Sequence, residues 1–134
     1  MRAVTKHAQD KWVVLYIERW LKAPAQDEAG HVTERGKGTP QGGVLSPLLA
    51  HLFLHYAFDR WMQRTSPHLP FARYADEAIV HCRTEAEAQE VRAAMAARLQ
   101  AGQLELHPAK TKIVSGKDDD RRGTYLHEKC DFLG

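Results

Sequence analysis

Phe71-Ala72-Arg73-Tyr74-Ala75-Asp76-Glu77-Ala78-Ile79-Val80-His81-Cys82 is the stretch whose reading decides the fold. Aromatic and β-branched residues flank a central pair of acids, Asp76 and Glu77, with no glycine or proline to relieve crowding. The pattern predicts two short strands, with Tyr74 to Glu77 as the tight connection that holds both carboxylates at a hairpin tip. Chemistry allows two readings of that tip. Asp is common in turns, where it is simply hydrated. Neighbouring carboxylates are also the ligands that hard cations such as Mg²⁺ take, usually alongside substrate phosphates.

Around the hairpin, the composition bounds the class of protein. With 134 residues, 43% hydrophobic and 27% charged, the chain is large enough to bury a core and is not expected to be disordered. Nineteen basic and seventeen acidic residues give a formal charge of +2, too small to mark a nucleic-acid binder by charge alone. Two cysteines, Cys82 and Cys130, argue against a disulfide framework and suit a reducing, cytoplasmic setting. No apolar run approaches the roughly 20 residues of a membrane span, and no signal-like start is present, so no membrane association is expected.

Upstream of the hairpin, Met1 to Val4 has the look of the inside or end of a helix. Asp10 offers an N-cap for a second helix over about 11–22, where Trp12, Leu15, Tyr16, Arg19 and Trp20 form a broad apolar face that ends before Pro24. From Ala25 to Gly36 the pattern predicts a small polar hairpin of low core content. Next comes Gly36-Lys37-Gly38-Thr39-Pro40-Gln41-Gly42-Gly43, with four glycines in eight residues. It reads either as a linker or as a loop whose backbone approaches a phosphate closely, feeding a helix start. The Gly-Lys-Ser/Thr ending of a Walker loop is missing.

Ser46-Pro47 caps a long apolar helix expected over 47–64, carrying Leu48, Leu49, Leu52, Phe53, Tyr56, Ala57 and Trp61. His51, His55 and Asp59 recur at four-residue spacing on its remaining face. That is ligand spacing for a transition metal, but no further ligand accompanies it, and a polar stripe is the favoured reading.

Downstream, Thr84 and Glu87 form a capping box for a helix to about Gln100, stopped by Gly102. Its Glu85, Glu87, Glu90, Arg92 and Arg98 read as a solvent face. Short strands are expected at Leu104 to Leu106, near Lys110 to Val114, and at Phe132 to Gly134. Asp118 to Asp120 read as a solvated loop, since Ca²⁺ ligand spacing is absent. His81, Cys82, His127 and Cys130 lack the paired spacing of a zinc site. The expected fold class is α+β, with helices packed on one face of a small antiparallel sheet.

Five stretches in order resemble the reverse transcriptase domain of proteins encoded by bacterial group II introns, over nearly the whole chain. They are Tyr16-Ile17-Glu18-Arg19-Trp20-Leu21, Gly38 through Leu49 with its Thr39-Pro40-Gln41-Gly42-Gly43 core, Arg73-Tyr74-Ala75-Asp76, Leu106-His107-Pro108-Ala109-Lys110-Thr111-Lys112, and Asp131-Phe132-Leu133-Gly134. The resemblance implies the palm part of an RNA-directed DNA polymerase and intron maturase. Its partners would be an RNA template, a DNA primer, intron RNA and a deoxynucleoside triphosphate. By the same implication Asp76 is a Mg²⁺ ligand at the palm hairpin, with Glu77 beside it and Tyr74 next to the substrate. Gln41 and Gly42 border the incoming nucleotide and template, and Lys110 and Lys112 support phosphates.

Three departures qualify the resemblance. The family's hairpin reads Tyr-Ala-Asp-Asp, whereas Glu77 stands at its last position here. The family's remaining catalytic aspartate lies on a strand upstream of the helix that Met1 to Val4 resembles, so the chain alone is expected not to polymerise DNA. His51 occupies a position where the family has Asn. A palm without that first strand would leave a sheet edge open, inviting pairing with a second copy or a complementary fragment.

Overall fold

The computed structural model describes residues 1–26, 29–34, 38, 43–116 and 132. They form helices and two small antiparallel hairpins, the α+β class expected. Two compact units divide the chain, Met1–Phe53 and Leu54–Gly134. Among the described residues no helix is long and apolar enough to cross a membrane.

The first unit holds α1 (Arg2–His7), α2 (Lys11–Lys22), the strands β1 (Ala25–Gln26) and β2 (Val32–Thr33), and most of α3 (Ser46–Leu54). Asp10 takes the extended backbone of an N-cap, but its side chain makes no capping bond. Its carbonyl instead accepts the first helical bonds, from the Val13 and Val14 amides at 3.1 and 3.3 Å. On α2, Ile17 is buried, while Trp12, Tyr16 and Trp20 are 63%, 47% and 50% exposed. The three rings pack on one another along the helix, with centroids 6.3 and 6.0 Å apart. The small polar hairpin forms as expected, pairing Ala25 with Thr33 and Gln26 with Val32. Gly30 turns it at φ +88°, where a Cβ would be strained.

In the second unit the uninterrupted helix expected over 47–64 is broken. After α3 the chain takes a π-helical turn over His55–Asp59 and resumes as α4 (Arg60–Thr65). The Arg60 amide bonds the His55 carbonyl, five residues back. Periodicity could not show this, because a single wide turn leaves the apolar pattern on both sides intact. Its carbonyls have an outside partner: Arg98 donates to Ala57 O at 3.2 Å and to Tyr56 O at 3.4 Å. Arg98, expected to be a solvent-face residue, is therefore a tie between helices.

Strands β3 (Phe71–Tyr74) and β4 (Glu77–Val80) form the predicted hairpin, in the register Phe71 to Val80, Ala72 to Ile79, Arg73 to Ala78 and Tyr74 to Glu77. Strand alternation puts Phe71, Arg73, Ala78 and Val80 on one face and Ala72, Tyr74, Glu77 and Ile79 on the other. The first face meets the helices. Phe58, Met62 and Leu69 form a buried cluster, against which Trp61, Phe71, Val80, Cys82, Val91 and Met95 pack. Phe58 and Phe71 meet edge to face at 5.3 Å, a geometry worth about 0.5–1.5 kcal/mol beyond area burial.

Helix α5 (Glu85–Gln100) starts on the predicted cap: Thr84 Oγ1 accepts the Glu87 amide at 3.1 Å. The Glu87 carboxylate reaches back to the Arg83 amide at 2.7 Å, one residue before the usual partner of a capping box. It also meets His68 Nε2 at 3.3 Å, so it too departs from the expected solvent role. The helix end corrects the sequence reading. Gln103, not Gly102, takes the left-handed conformation, at φ +60°. The Gln103 amide bonds Gln100 O at 2.9 Å and the Leu104 amide bonds Leu99 O at 3.0 Å, the paired pattern of a Schellman ending.

The strands expected at Leu104 to Leu106 and near Lys110 to Val114 do not form. The Leu104 amide is committed to the helix end, Pro108 has no N–H, and the Lys110 and Thr111 amides both turn back to His107 O. The strand expected at Phe132 to Gly134, apart from Phe132, and the acidic loop at 118–120 lie outside the described residues.

Candidate active site

The tip of the second hairpin is a two-residue turn, Ala75 and Asp76, between the last paired residues Tyr74 and Glu77. Short hairpins favour a positive φ at the first central position, where glycine is the usual occupant. Ala75 stands there at φ +51°, which costs a residue with a Cβ about 1–2 kcal/mol. Such a conformation persists only where the surroundings over-determine it.

Arg73 supplies that constraint. Its Nε donates to Asp59 Oδ1 and its Nη2 to Asp59 Oδ2, both at 2.7 Å, while its Nη1 donates to the Ala75 carbonyl at 2.6 Å. The guanidinium thus spans the π-helical turn and the hairpin tip. The side chains of Arg73 and Asp59 are only 10% and 17% exposed, so water weakens the pair far less than it would a surface bridge. The hydrogen bonds from Arg73 hold the Asp59 carboxyl below the usual carboxylate range, against the opposing effect of burial. Asp59 in turn holds Arg73 more firmly protonated. His55 Nδ1 lies 3.5 Å from Asp59 Oδ2, one helical step away.

This geometry gives two members of the predicted polar stripe, His55 and Asp59, their partners. Both Asp59 oxygens are committed to Arg73, and among the described residues no group of three or more His, Cys, Asp or Glu is placed to hold a metal ion. Asp59 and His55 are thus hydrogen-bonded or ion-paired polar residues, as the polar reading expects at those two positions.

Asp76 and Glu77 are exposed at the tip, and Tyr74 is 66% exposed across the last rung from Glu77. The outer face of the hairpin thus presents Tyr74 and Glu77 to solvent, with Asp76 at its end. Two consecutive exposed carboxylates are a donor set that suits Mg²⁺, which binds through one or two carboxylates together with substrate phosphates. Lys110, in the turn after α5, and Lys112 are exposed. Gln41 and Gly42 lie outside the described residues; within that glycine-rich loop, Gly38 takes φ +71°, the freedom its composition predicts.

Sequence reasoning missed the Asp59–Arg73 pair. A signal for it existed: Arg73 shares its strand face with Phe71, so alternation aims a cation at the apolar side, where it needs a carboxylate.

The Cys82 thiol is pushed up by burial and by the nearby Glu87 carboxylate, the opposite of what a nucleophilic thiolate needs. His127 and Cys130, the other half of a possible zinc set, lie outside the described residues. A shallow hollow in the first unit, lined by Leu15, Glu18, Arg19, Lys22 and Ala23, offers one carboxylate, and Glu18 is already paired with Lys22 at 2.6 Å.

A family model described as reverse transcriptase (RNA-dependent DNA polymerase) matches residues 1–134. The chain is also similar to a tyrosine-protein phosphatase, yvh1, of Schizosaccharomyces pombe, at 28% identity over 126 residues. That similarity covers 88% of this chain and 37% of the phosphatase, so the chain spans little more than a third of that relative's length.

Proposed function

The chain belongs to the reverse transcriptase (RNA-dependent DNA polymerase) family, and from that premise we propose that the turn from Tyr74 to Glu77 is the metal platform of nucleotidyl transfer. The observation that carries the reading is the pair of adjacent exposed carboxylates on a turn braced from the core side. Asp76 is the principal ligand and Glu77 the neighbouring one. A bound pair of Mg²⁺ ions supplies charge neutralisation at the phosphates and activation of the primer 3′-hydroxyl. What the chain itself contributes is position: the tip presents oxygen donors, and the outer face with Tyr74 flanks the path of primer and template. Lys110 and Lys112 are assigned to phosphate contacts, and Gln41 with Gly42 to the border of the incoming nucleotide.

The five ordered motifs support a finer assignment, to the palm of a group II intron-encoded enzyme with intron RNA as a further partner. Its work would then be splicing and mobility of the intron, in the cytoplasm, with an open sheet edge available to a second copy. A second reading rests on Glu77, whose extra methylene displaces the carboxylate by about an ångström or more, a shift able to cost about a hundredfold in rate. On that reading the chain is a non-catalytic remnant that binds RNA or a protein through the same surface.

Primer extension on an RNA template separates the two, with deoxynucleoside triphosphates, Mg²⁺ or Mn²⁺, and a complementary fingers–palm polypeptide added in trans. For the enzyme, Asp76→Ala lowers incorporation by at least about a hundredfold, the several kcal/mol a metal contributes, and Glu77→Asp raises the rate. Absence of incorporation in either metal, with RNA binding retained, establishes the remnant.

A further inference from the structure

The hairpin tip is held from the core side by Arg73, a residue outside the pair of carboxylates it presents. We propose that Arg73, anchored by Asp59, is a positioning residue: its bond to the Ala75 carbonyl fixes the turn that aims Asp76 at a divalent cation. The proposal rests on the reading of Asp76 as a metal ligand and adds to it the device that orients that ligand.

Three observations carry it. The guanidinium engages two acceptors at once, Asp59 through its Nε–Nη2 edge and Ala75 O through Nη1, all between 2.6 and 2.7 Å. Ala75, the residue held, sits at φ +51° without being glycine, so the turn tends to relax once released. The anchor is itself fixed, because Asp59 belongs to the π-helical turn whose Tyr56 and Ala57 carbonyls are tied to α5 by Arg98. A continuous path of directed bonds therefore runs from α5 through the π turn and Arg73 to the residue preceding Asp76. A surface ion pair would need none of these features. Groups that orient metal ligands in this way typically govern about 10–100-fold in metal affinity.

Arg73→Lys is the discriminating variant. It keeps a cation opposite Asp59 but loses the planar fork that reaches both acceptors. Asp59→Asn, which preserves size, is the second variant and serves if the first fails to fold. In the 134-residue chain, ¹⁵N relaxation of the Ala75, Asp76 and Glu77 amides reads the tip directly, and Mn²⁺ titration followed by paramagnetic broadening reads the site.

In the unaltered chain the tip amides should be rigid, with order parameters near about 0.85. In both variants they should fall toward about 0.6 while the Phe71 and Val80 amides stay ordered. Mn²⁺ affinity should weaken about 10–100-fold. Tip amides that stay rigid in both variants overturn the proposal. So does a loosened tip with unchanged Mn²⁺ affinity, because the clasp would then not govern Asp76. If Asp76→Ala binds Mn²⁺ as well as the unaltered chain, the metal role of Asp76 falls and the proposal with it. Relaxation data would still report separately whether Arg73 orders the turn.

Discussion

Helix α2 and the helices beneath the second hairpin are both rich in apolar residues, yet they end differently. On α2 the rings of Trp12, Tyr16 and Trp20 remain about half exposed or more and stack in sequence along the helix. In the second unit Phe58, Met62 and Leu69 are 3%, 0% and 5% exposed, closed over by side chains from the hairpin and α5. An apolar stripe states that a face wants a partner. Whether it finds one depends on what the rest of the chain brings to it, and among the described residues the second unit brings the hairpin and α5.

The largest test of that contrast is a pair of truncations read by urea denaturation. Met62→Ala should cost about 2–5 kcal/mol, because the side chain is wholly enclosed and its removal leaves a cavity. Trp12→Ala should stay within about 0.5 kcal/mol, as substitutions on exposed surfaces do. Comparable losses at the two sites would mean that α2 is covered in solution, and the contrast would fail.

A smaller effect sharpens the polar side of the second unit. The Asp59 carboxyl is held below its unfolded value near 3.9, so the unfolded state binds more protons below that value and stability declines as the pH is lowered. Its contribution is complete above about pH 4 and is lost as the pH drops through the lower folded value. Asp59→Asn should therefore cost about 1.5–3 kcal/mol at neutral pH, the range for hydrogen bonds to charged groups, and should flatten the acid limb of the stability curve. A variant whose stability still falls as steeply below about pH 4 would show that other carboxylates dominate that limb.

The smallest expected effect lies at the end of α5. Gln103 occupies a left-handed position, so Gln103→Gly should stabilise the second unit by up to about 1 kcal/mol, and Gly102→Ala should leave the left-handed residue in place. A loss on Gln103→Gly, measured by the same denaturation, would show that its side chain contributes a contact that outweighs the backbone strain.

Much of this was legible in the sequence because the determinants are local. Aromatic and β-branched residues around Asp76 and Glu77 specified the hairpin and its tip, Thr84 and Glu87 specified the start of α5, and Pro24 marked the end of α2. The strands expected after Gln103 failed for a different reason. Alternation in Leu104 to Leu106 supplies a face but no partner, and the amide of Leu104 had already been taken by the helix.

By itself, then, the sequence determined the acidic hairpin, the Thr84 cap of α5 and the order of motifs that places the chain among reverse transcriptases. Each depends on residues a few positions apart, whose geometry is set by backbone sterics and short-range hydrogen bonds. Only the tertiary structure decided that the helix before the hairpin opens into a π turn at His55–Asp59. It also decided that Arg98 meets that turn, and that Asp59 finds Arg73 across fourteen residues. A salt bridge has no sequence period, and a buried cation takes whichever carboxylate the packing delivers. The two acids at the tip could be read from the chain; which carboxylate receives the Arg73 guanidinium, and that it also reaches the Ala75 carbonyl, became visible only when the fold closed around it.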